Sequence, residues 1–340
     1  MIAPNSAGRT LVRMPNWLGD AVMATPALAN LMRHCPDDQV VLVGSAPVAE
    51  MFRHDPAFCG VQVDQSRSWR FRPAGLRHLA WSLRREYGPF GRALTFANSL
   101  SSALLLRFSG APQRVGAWRR GRRLLLNHPV VIDRRAHQAE RYNALVNAYL
   151  GTNYETGPTA LCVPVRHRYP RKTVGINAGA AYGSAKRWHP ARFAEVAARL
   201  SDQYAIVLFG SAQEASLVGQ IAAALRQHGV TDVDNLAGRT SIATLLSMLA
   251  GLDLLITNDS GPMHIAAALG VPSVAIFGST NHLETCPWRH PRSVIVRHDL
   301  PCAPCMQRRC PLKHHACMEA IEPQEVVDAA LSLVARPANQ

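Results

Sequence analysis

Three stretches of this chain carry residue types whose spacing suits phosphate chemistry. In LLITNDSGPMHIAAALG (254–270) an apolar run stops at Asn258, Asp259, Ser260, Gly261 and Pro262, and a small-residue helix with His264 near its start follows. Ligands of open α/β sheets gather outside the carboxyl ends of the strands, where loops lead into helix amino termini. Pro262 fits a first helical turn, because its missing N–H would have no intrahelical partner there. The other free N–H groups and the helix dipole favour an anion. The alternative is that Asp259 or Ser260 only caps the helix.

The second stretch, NAGAAYGSAKRWHP (177–190), repeats the arrangement after another apolar run: a small-residue loop, the cations Lys186 and Arg187, Trp188, and Pro190 opening a helix. Such a loop lets a phosphate approach the backbone, and a lysine in it neutralises charge on a departing diphosphate. It is not a P-loop, since GxxxxGK[ST] is absent. In the third, MPNWLGD (14–20), Gly19 and Asp20 stand between a strand and its helix. Asp20 could cap that helix, or act as a general base on a hydroxyl.

Two further groups of residues are chemically suggestive. RSWRFR (67–72) and WRRGRR (118–123) interleave arginine with aromatic residues, which suits nucleic acid, phosphorylated sugars or an anionic membrane surface. Cys302, Cys305, Cys310 and Cys317, with His314 and His315 between the last two, supply enough soft ligands for a structural tetrahedral zinc site. Their spacing is not that of a paired CxxC zinc ribbon, and a reduced, packed loop is the alternative.

The elements that must position these residues alternate. Strands are expected at 10–14, 40–44, 61–65 and 93–98, with a helix through about His34 after the first and another at 139–150. A linker, 151–172, carries prolines, glycines and a charge run. Strands then recur at 173–177, 204–210, 254–258 and 273–278, with helices near 190–200, 213–227, 241–250, 263–269 and 323–337. Strand and helix in repetition imply parallel sheets covered on both faces, so the expected fold class is α/β, with two doubly wound domains, 1–165 and 172–340.

At 340 residues and 48% hydrophobic content each domain can bury its own core. No run approaches the roughly 20 apolar residues of a membrane span, and the amino-terminal residues lack the apolar centre of a signal peptide, so a cytoplasmic protein is expected. The net charge of +14 is uneven: residues 1–170 hold 22 arginines, no lysine and ten acids. That first-half excess favours an anionic partner.

Together, MPNWLGDAVMATPAL, the AKRW loop, TNDSGPMHIAAALGVPSVAIFG and CAPCMQRRCPLKHHACMEAI resemble glycosyltransferase family 9 over nearly the whole chain and in the same order, and their combination points to its type II heptosyltransferases. The resemblance implies a GT-B architecture, two Rossmann-like domains facing a central cleft. The first would bind the acceptor and the second ADP-heptose, with the last helix free to pack back on the first. It implies inverting transfer of L-glycero-D-manno-heptose from ADP-heptose onto the first heptose of the lipopolysaccharide inner core, on a heptosyl-Kdo2-lipid A type acceptor, at the cytoplasmic face of the inner membrane. Asp20 would be the general base and Lys186 the catalytic cation on the diphosphate. Gly19, Arg187, Ser260, Gly261 and His264 would join Lys186 around the donor; Asp259 would shape the loop or touch the donor sugar, and Arg239 and Thr240 would line the adenosine pocket. Arg67, Arg70, Arg119 and Arg120 would meet the acceptor. No cofactor is expected, and no metal held by a carboxylate pair.

The chain departs from the family pattern at KRWHP, where His189 is inserted, and at Pro262, where leucine is common. Other readings are a family 9 heptosyltransferase of type I or III, a nucleotide-sugar epimerase of the same fold, or a non-catalytic nucleic-acid binder. The last leaves the two anion loops of the second half unexplained.

Overall fold

The structure is a computed structural model and describes residues 8–335; the ends of both expected domains, and the last residues of the helix expected to reach 337, lie outside the described residues. The chain divides into two compact units, Met1–Cys162 and Val163–Gln340.

The first unit runs β1 (Arg9–Arg13), α1 (Leu18–Met23), α2 (Thr25–His34), β2 (Gln39–Gly44), α3 (Ala46–Phe52), β3 (Gly60–Val63), α4 (Arg72–Tyr87), β4 (Arg92–Thr95), α5 (Leu100–Phe108), β5 (Gln113–Ala117), β6 (His128–Val130) and α6 (Gln138–Leu150). The second runs β7 (Thr173–Asn177), α7 (Pro190–Leu200), β8 (Ala205–Phe209), α8 (Ala215–Gln227), β9 (Val233–Asn235), α9 (Ile242–Ala250), β10 (Leu254–Asn258) and α10 (Gly261–Ala268). It ends with β11 (Ser273–Ile276), α11 (His282–Thr285), β12 (Ser293–Val296), α12 (Ala316–Glu319) and α13 (Pro323–Val334).

Each unit folds around one six-stranded, wholly parallel sheet, in the orders β3-β2-β1-β4-β5-β6 and β12-β11-β10-β7-β8-β9. Both are the doubly wound order, whose direction of progression reverses between the first and fourth strands, β1 and β4 in one sheet and β7 and β10 in the other. The central strands are apolar throughout because helices cover both faces: TVGIN and LLITN are buried at every position. Four strands escape the sequence pattern. β6 (HPV) and β9 (VDN) are three-residue edge strands that a proline or an aspartate does not disturb; β5 and β12 are short and half-buried.

The single helix expected after β1 is broken in two. Pro26 has no N–H to offer the Val22 carbonyl, and the Thr25 hydroxyl takes that acceptor instead at 2.8 Å. The expected linker has no helix or strand but is held at both ends. Asn30 and Asn143 bond the carbonyls of Glu155 and Tyr154 at 2.9 and 2.8 Å in the first unit. In the second, the His167 amide reaches the Ser247 carbonyl at 3.0 Å, and the Tyr169 hydroxyl the Met248 carbonyl at 3.2 Å. The apolar face of α13 (Val326, Val327, Ala330, Leu333) belongs to the core of the second unit, with α7 and the β10–β12 strands.

Candidate active site

In the second unit the sheet order decides the geometry. β7 and β10 lie side by side, Thr257 in register with Asn177, although 80 residues separate them in sequence. The loops that follow them therefore meet at the carboxyl edge of the sheet, at the switch point of the strand order. Asn258 knits them together: its side chain donates to the Ala178 carbonyl at 2.7 Å and accepts from the Trp188 amide at 3.1 Å. Asn177 reaches across to the hydroxyls of Thr257 and Ser260 at 3.2 and 3.1 Å. Trp188 is fully buried, edge-on to Phe193, with its indole N–H on the Ile321 carbonyl at 3.1 Å.

Within this frame the Lys186 ammonium stands 2.5 Å from the Asp259 carboxylate, the two side chains 12% and 3% exposed. Thr280 donates to the same carboxylate oxygen at 2.6 Å, so Asp259 shapes the loop and aims the lysine. The ammonium also lies over the Tyr182 ring, 5.0 Å from its centre. Ser260 and Gly261 begin α10 with Pro262 in its first turn and no side-chain cap on the helix, which leaves its leading N–H groups pointing at the same edge. Ser260 bonds Asn177 and Thr257 rather than its own helix, and His264 is buried one turn in. Arg187 turns its guanidinium to the Ala180 carbonyl at 3.2 Å. The inserted His189 caps α7, accepting from the Ala191 amide at 3.3 Å. Arg239 (exposed) and Thr240 (half-buried) follow β9, two strands away from β7.

The cysteine tail braces this loop. The Arg308 carbonyl accepts from the Ala185 amide at 3.1 Å, the Met306 carbonyl from the Tyr182 hydroxyl at 2.7 Å, and His315 Nε2 meets the Ala185 carbonyl at 3.1 Å. Gly183 is required there, since a Cβ would come within 2.2 Å of the Arg308 oxygen. Cys302, Cys305, Cys310 and Cys317 are free thiols. Burial, then the nearby Cys305, Cys302 and Cys310, push the Cys317 thiol up. Among the described residues no three His, Cys, Asp or Glu side chains gather as metal ligands; the packing of the tail against the Lys186 loop fits the reduced, packed loop that the sequence offered beside a zinc site.

A carboxylate pair of DxD spacing does exist in this half, Asp232-Val233-Asp234. It sits at the opposite edge. Val233 pairs with Ile206 early in β8, Asp232 lies 3.9 Å from Arg171 ahead of β7, and Asp234, after burial, helps push the Tyr169 phenol up.

In the first unit Gly19 (buried) and Asp20 (half-buried) lie in α1, directly after β1 and at the β1–β4 switch point. A buried pair that sequence reasoning missed fixes the preceding turn. Arg13 bonds Asp64 at 3.1 Å, Asn16 at 2.8 Å and the Met14 carbonyl at 2.5 Å. Burial lowers the guanidinium pKa even against the opposing pull of Asp64. The signal available in the sequence was an arginine closing an apolar strand, RTLVR. Beside Asp20 lies Tyr142, whose phenol is pushed well up by burial first and by the Asp20 charge second. Tyr142 lines a cavity of about 110 Å³ with Asn98, Arg119, Arg134, Gln138 and Arg141. Arg122, buried behind it, bonds Asn98 and the Ala97 and Ala117 carbonyls; burial first, and Arg119 next, lower its pKa to about 10. Arg119 thus lines this cavity and Arg120 is exposed next to it in the chain. Arg67 and Arg70 are exposed on the turn before α4, outside the cavity lining.

A family model for glycosyltransferase family 9 (heptosyltransferase) matches residues 76–316. The lipooligosaccharide heptosyltransferase 2 of Campylobacter jejuni is 33% identical over 96% of this chain and 98% of its own. The lipopolysaccharide heptosyltransferase 2 of Escherichia coli K12 is 31% identical over 84% of this chain and 87% of its own. A solved structure of an E. coli ADP-heptose lipopolysaccharide heptosyltransferase II superposes with a TM-score of 0.78 at 28% identity, covering 96% of this chain and 98% of that one.

Proposed function

The chain belongs to glycosyltransferase family 9, the heptosyltransferases, and from that premise we propose that it moves L-glycero-D-manno-heptose from ADP-heptose onto the first heptose of the lipopolysaccharide inner core, with inversion. The observation that carries the reading is the Lys186–Asp259 pair at the carboxyl edge between β7 and β10, beside the uncapped start of α10. A cation held beside free helix N–H groups suits a diphosphate that gains charge as it leaves. Asp259 supports the lysine, Ser260, Gly261 and His264 surround the phosphates, and Arg187, Arg239 and Thr240 serve the donor farther out.

In the first unit Asp20 takes the proton of the acceptor hydroxyl, the oxygen attacks the anomeric carbon, and ADP departs from the opposite face. Gly19 keeps the backbone beside Asp20 free of a side chain. The cavity with Arg119 beside Tyr142 suits the negative groups of an inner-core acceptor, and Arg120 is offered to the same groups. Among the described residues no helix is long and apolar enough to cross a membrane; contact with the cytoplasmic membrane face is proposed to be peripheral.

The test is transfer from ADP-heptose to defined core acceptors carrying zero, one or two heptoses. Product with the one-heptose acceptor alone is expected. Product with the heptose-free acceptor would reassign the chain to the type I reaction.

A further inference from the structure

The turn Ser66–Ser68 and the helix α4 carry a surface outside the lining of the Tyr142 cavity. Trp69, Phe71 and Trp81 are 42%, 66% and 55% exposed, large apolar side chains that a water-facing surface ordinarily avoids. They are organised: Trp69 packs on His78 at 5.2 Å, His78 stacks on Trp81 at 5.9 Å, and the Arg85 guanidinium lies 5.4 Å from the Trp81 ring centre. His78, Trp81 and Arg85 are spaced three and four residues apart on α4, so they share one helix face. Arg77 is exposed four residues before Trp81, on that face too. Between Gln65 and Tyr87 the sequence holds six arginines and one acid, Glu86, and Gln62 bonds that acid at 3.0 and 3.1 Å.

We infer that this face docks on the headgroup layer of an anionic phospholipid bilayer. Amphipathic aromatic rings settle at the boundary between acyl chains and headgroups, and arginines beside them meet lipid phosphates. Both ingredients occur here on one surface, where Arg77 and Arg85 flank Trp81 and the charge is net positive. A single-stranded nucleic acid would also use arginine and aromatic stacking. Here, however, the Trp69, His78 and Trp81 rings lie near-parallel in one row with Arg85 over the Trp81 ring, so their faces meet one another instead of standing open to successive bases. Arg67 and Arg70, on the turn that leads into this face, are thereby placed with lipid headgroups. The inference deepens the proposed reaction, because an acceptor anchored in lipid requires the enzyme to work at that surface.

The test is co-sedimentation of the full chain with vesicles of three parts phosphatidylethanolamine to one part phosphatidylglycerol, and with pure phosphatidylcholine vesicles. The parent protein is expected to bind the anionic vesicles alone, and less as salt rises. Trp81→Ala, and separately Arg77→Glu with Arg85→Glu, should each weaken that binding about tenfold with unchanged melting temperature. Turnover of a water-soluble, deacylated one-heptose acceptor should also be unchanged. Vesicle binding equal to the parent's in both folded variants would overturn the inference, as would Trp81-dependent binding to generic single-stranded RNA without vesicle binding. Failure of the parent to turn over the deacylated acceptor would count against the proposed reaction and leave the vesicle result standing.

Discussion

Replacing Lys186 by methionine separates what the Lys186–Asp259 pair does for the fold from what it does for the reaction. The change keeps the length of the side chain and removes the charge, stranding a carboxylate that is 3% exposed and still accepts the Thr280 hydroxyl. Both side chains are nearly out of solvent, so water screens little of the loss. Removing one member of such a pair costs about 3–5 kcal/mol. Taking the lower figure, a unit of this size should melt about 6–12 °C lower. Loss of a cation aimed at the departing diphosphate should lower kcat by about 10²–10³. Adding Asp259→Asn removes the stranded charge and keeps an acceptor for the Thr280 hydroxyl. The double variant should therefore recover most of the melting temperature and none of the turnover. Calorimetry of both proteins beside a single-turnover transfer assay reads the two effects apart. A double variant no more stable than Lys186→Met would refute the pairing argument, and transfer near the parent rate in either protein would refute the diphosphate role.

Asp20→Ala should leave melting and ADP affinity close to the parent and lower transfer by at least about 10²-fold; near-parental turnover would remove Asp20 as the base. Asp64→Ala leaves the buried Arg13 guanidinium with no carboxylate partner and with Arg67 and Arg72 opposing it, so chemical denaturation should show a loss of about 3–5 kcal/mol. His290 is half-buried with Nε2 on the Val271 carbonyl at 2.8 Å, and burial lowers its pKa below 6.5. The folded protein thus binds fewer protons than the unfolded chain between the lowered value and 6.5, and that share of stability, full above 6.5, is lost as pH falls through this window. His290→Gln should flatten the melting temperature over the same window, and an unchanged slope would show that other groups set it.

How much of this was legible beforehand depended on where the signal lay. Runs such as TVGIN and LLITN announce themselves because strands buried on both faces must be apolar at every position, and α7 and α9 were readable from their spacing and proline or serine starts. The edge strands HPV and VDN gave no such signal, since a strand paired on one side tolerates polar residues and proline. The two loops of the candidate site, around Lys186 and Asp259, could be named from their residues. The buried Arg13–Asp64 pair could not, because its members lie 51 residues apart and meet only when β1 and β3 fall into one sheet.

The sequence by itself therefore determined the α/β class, the two-part organisation and the loops that can hold phosphate, because these rest on local periodicity and on residue chemistry. Only the tertiary structure decided which loops are neighbours. The strand order sets β7 against β10, so Lys186 meets Asp259 rather than solvent, and it carries Asp232 and Asp234 to the other edge, beside Arg171. The cysteine tail gains a place for the same reason. Its spacing left a metal site and a packed loop both open, and packing brings the Met306 and Arg308 carbonyls onto the Lys186 loop across more than 120 residues of chain. Contacts of that range are fixed by how helices and strands stack, which no window of sequence contains.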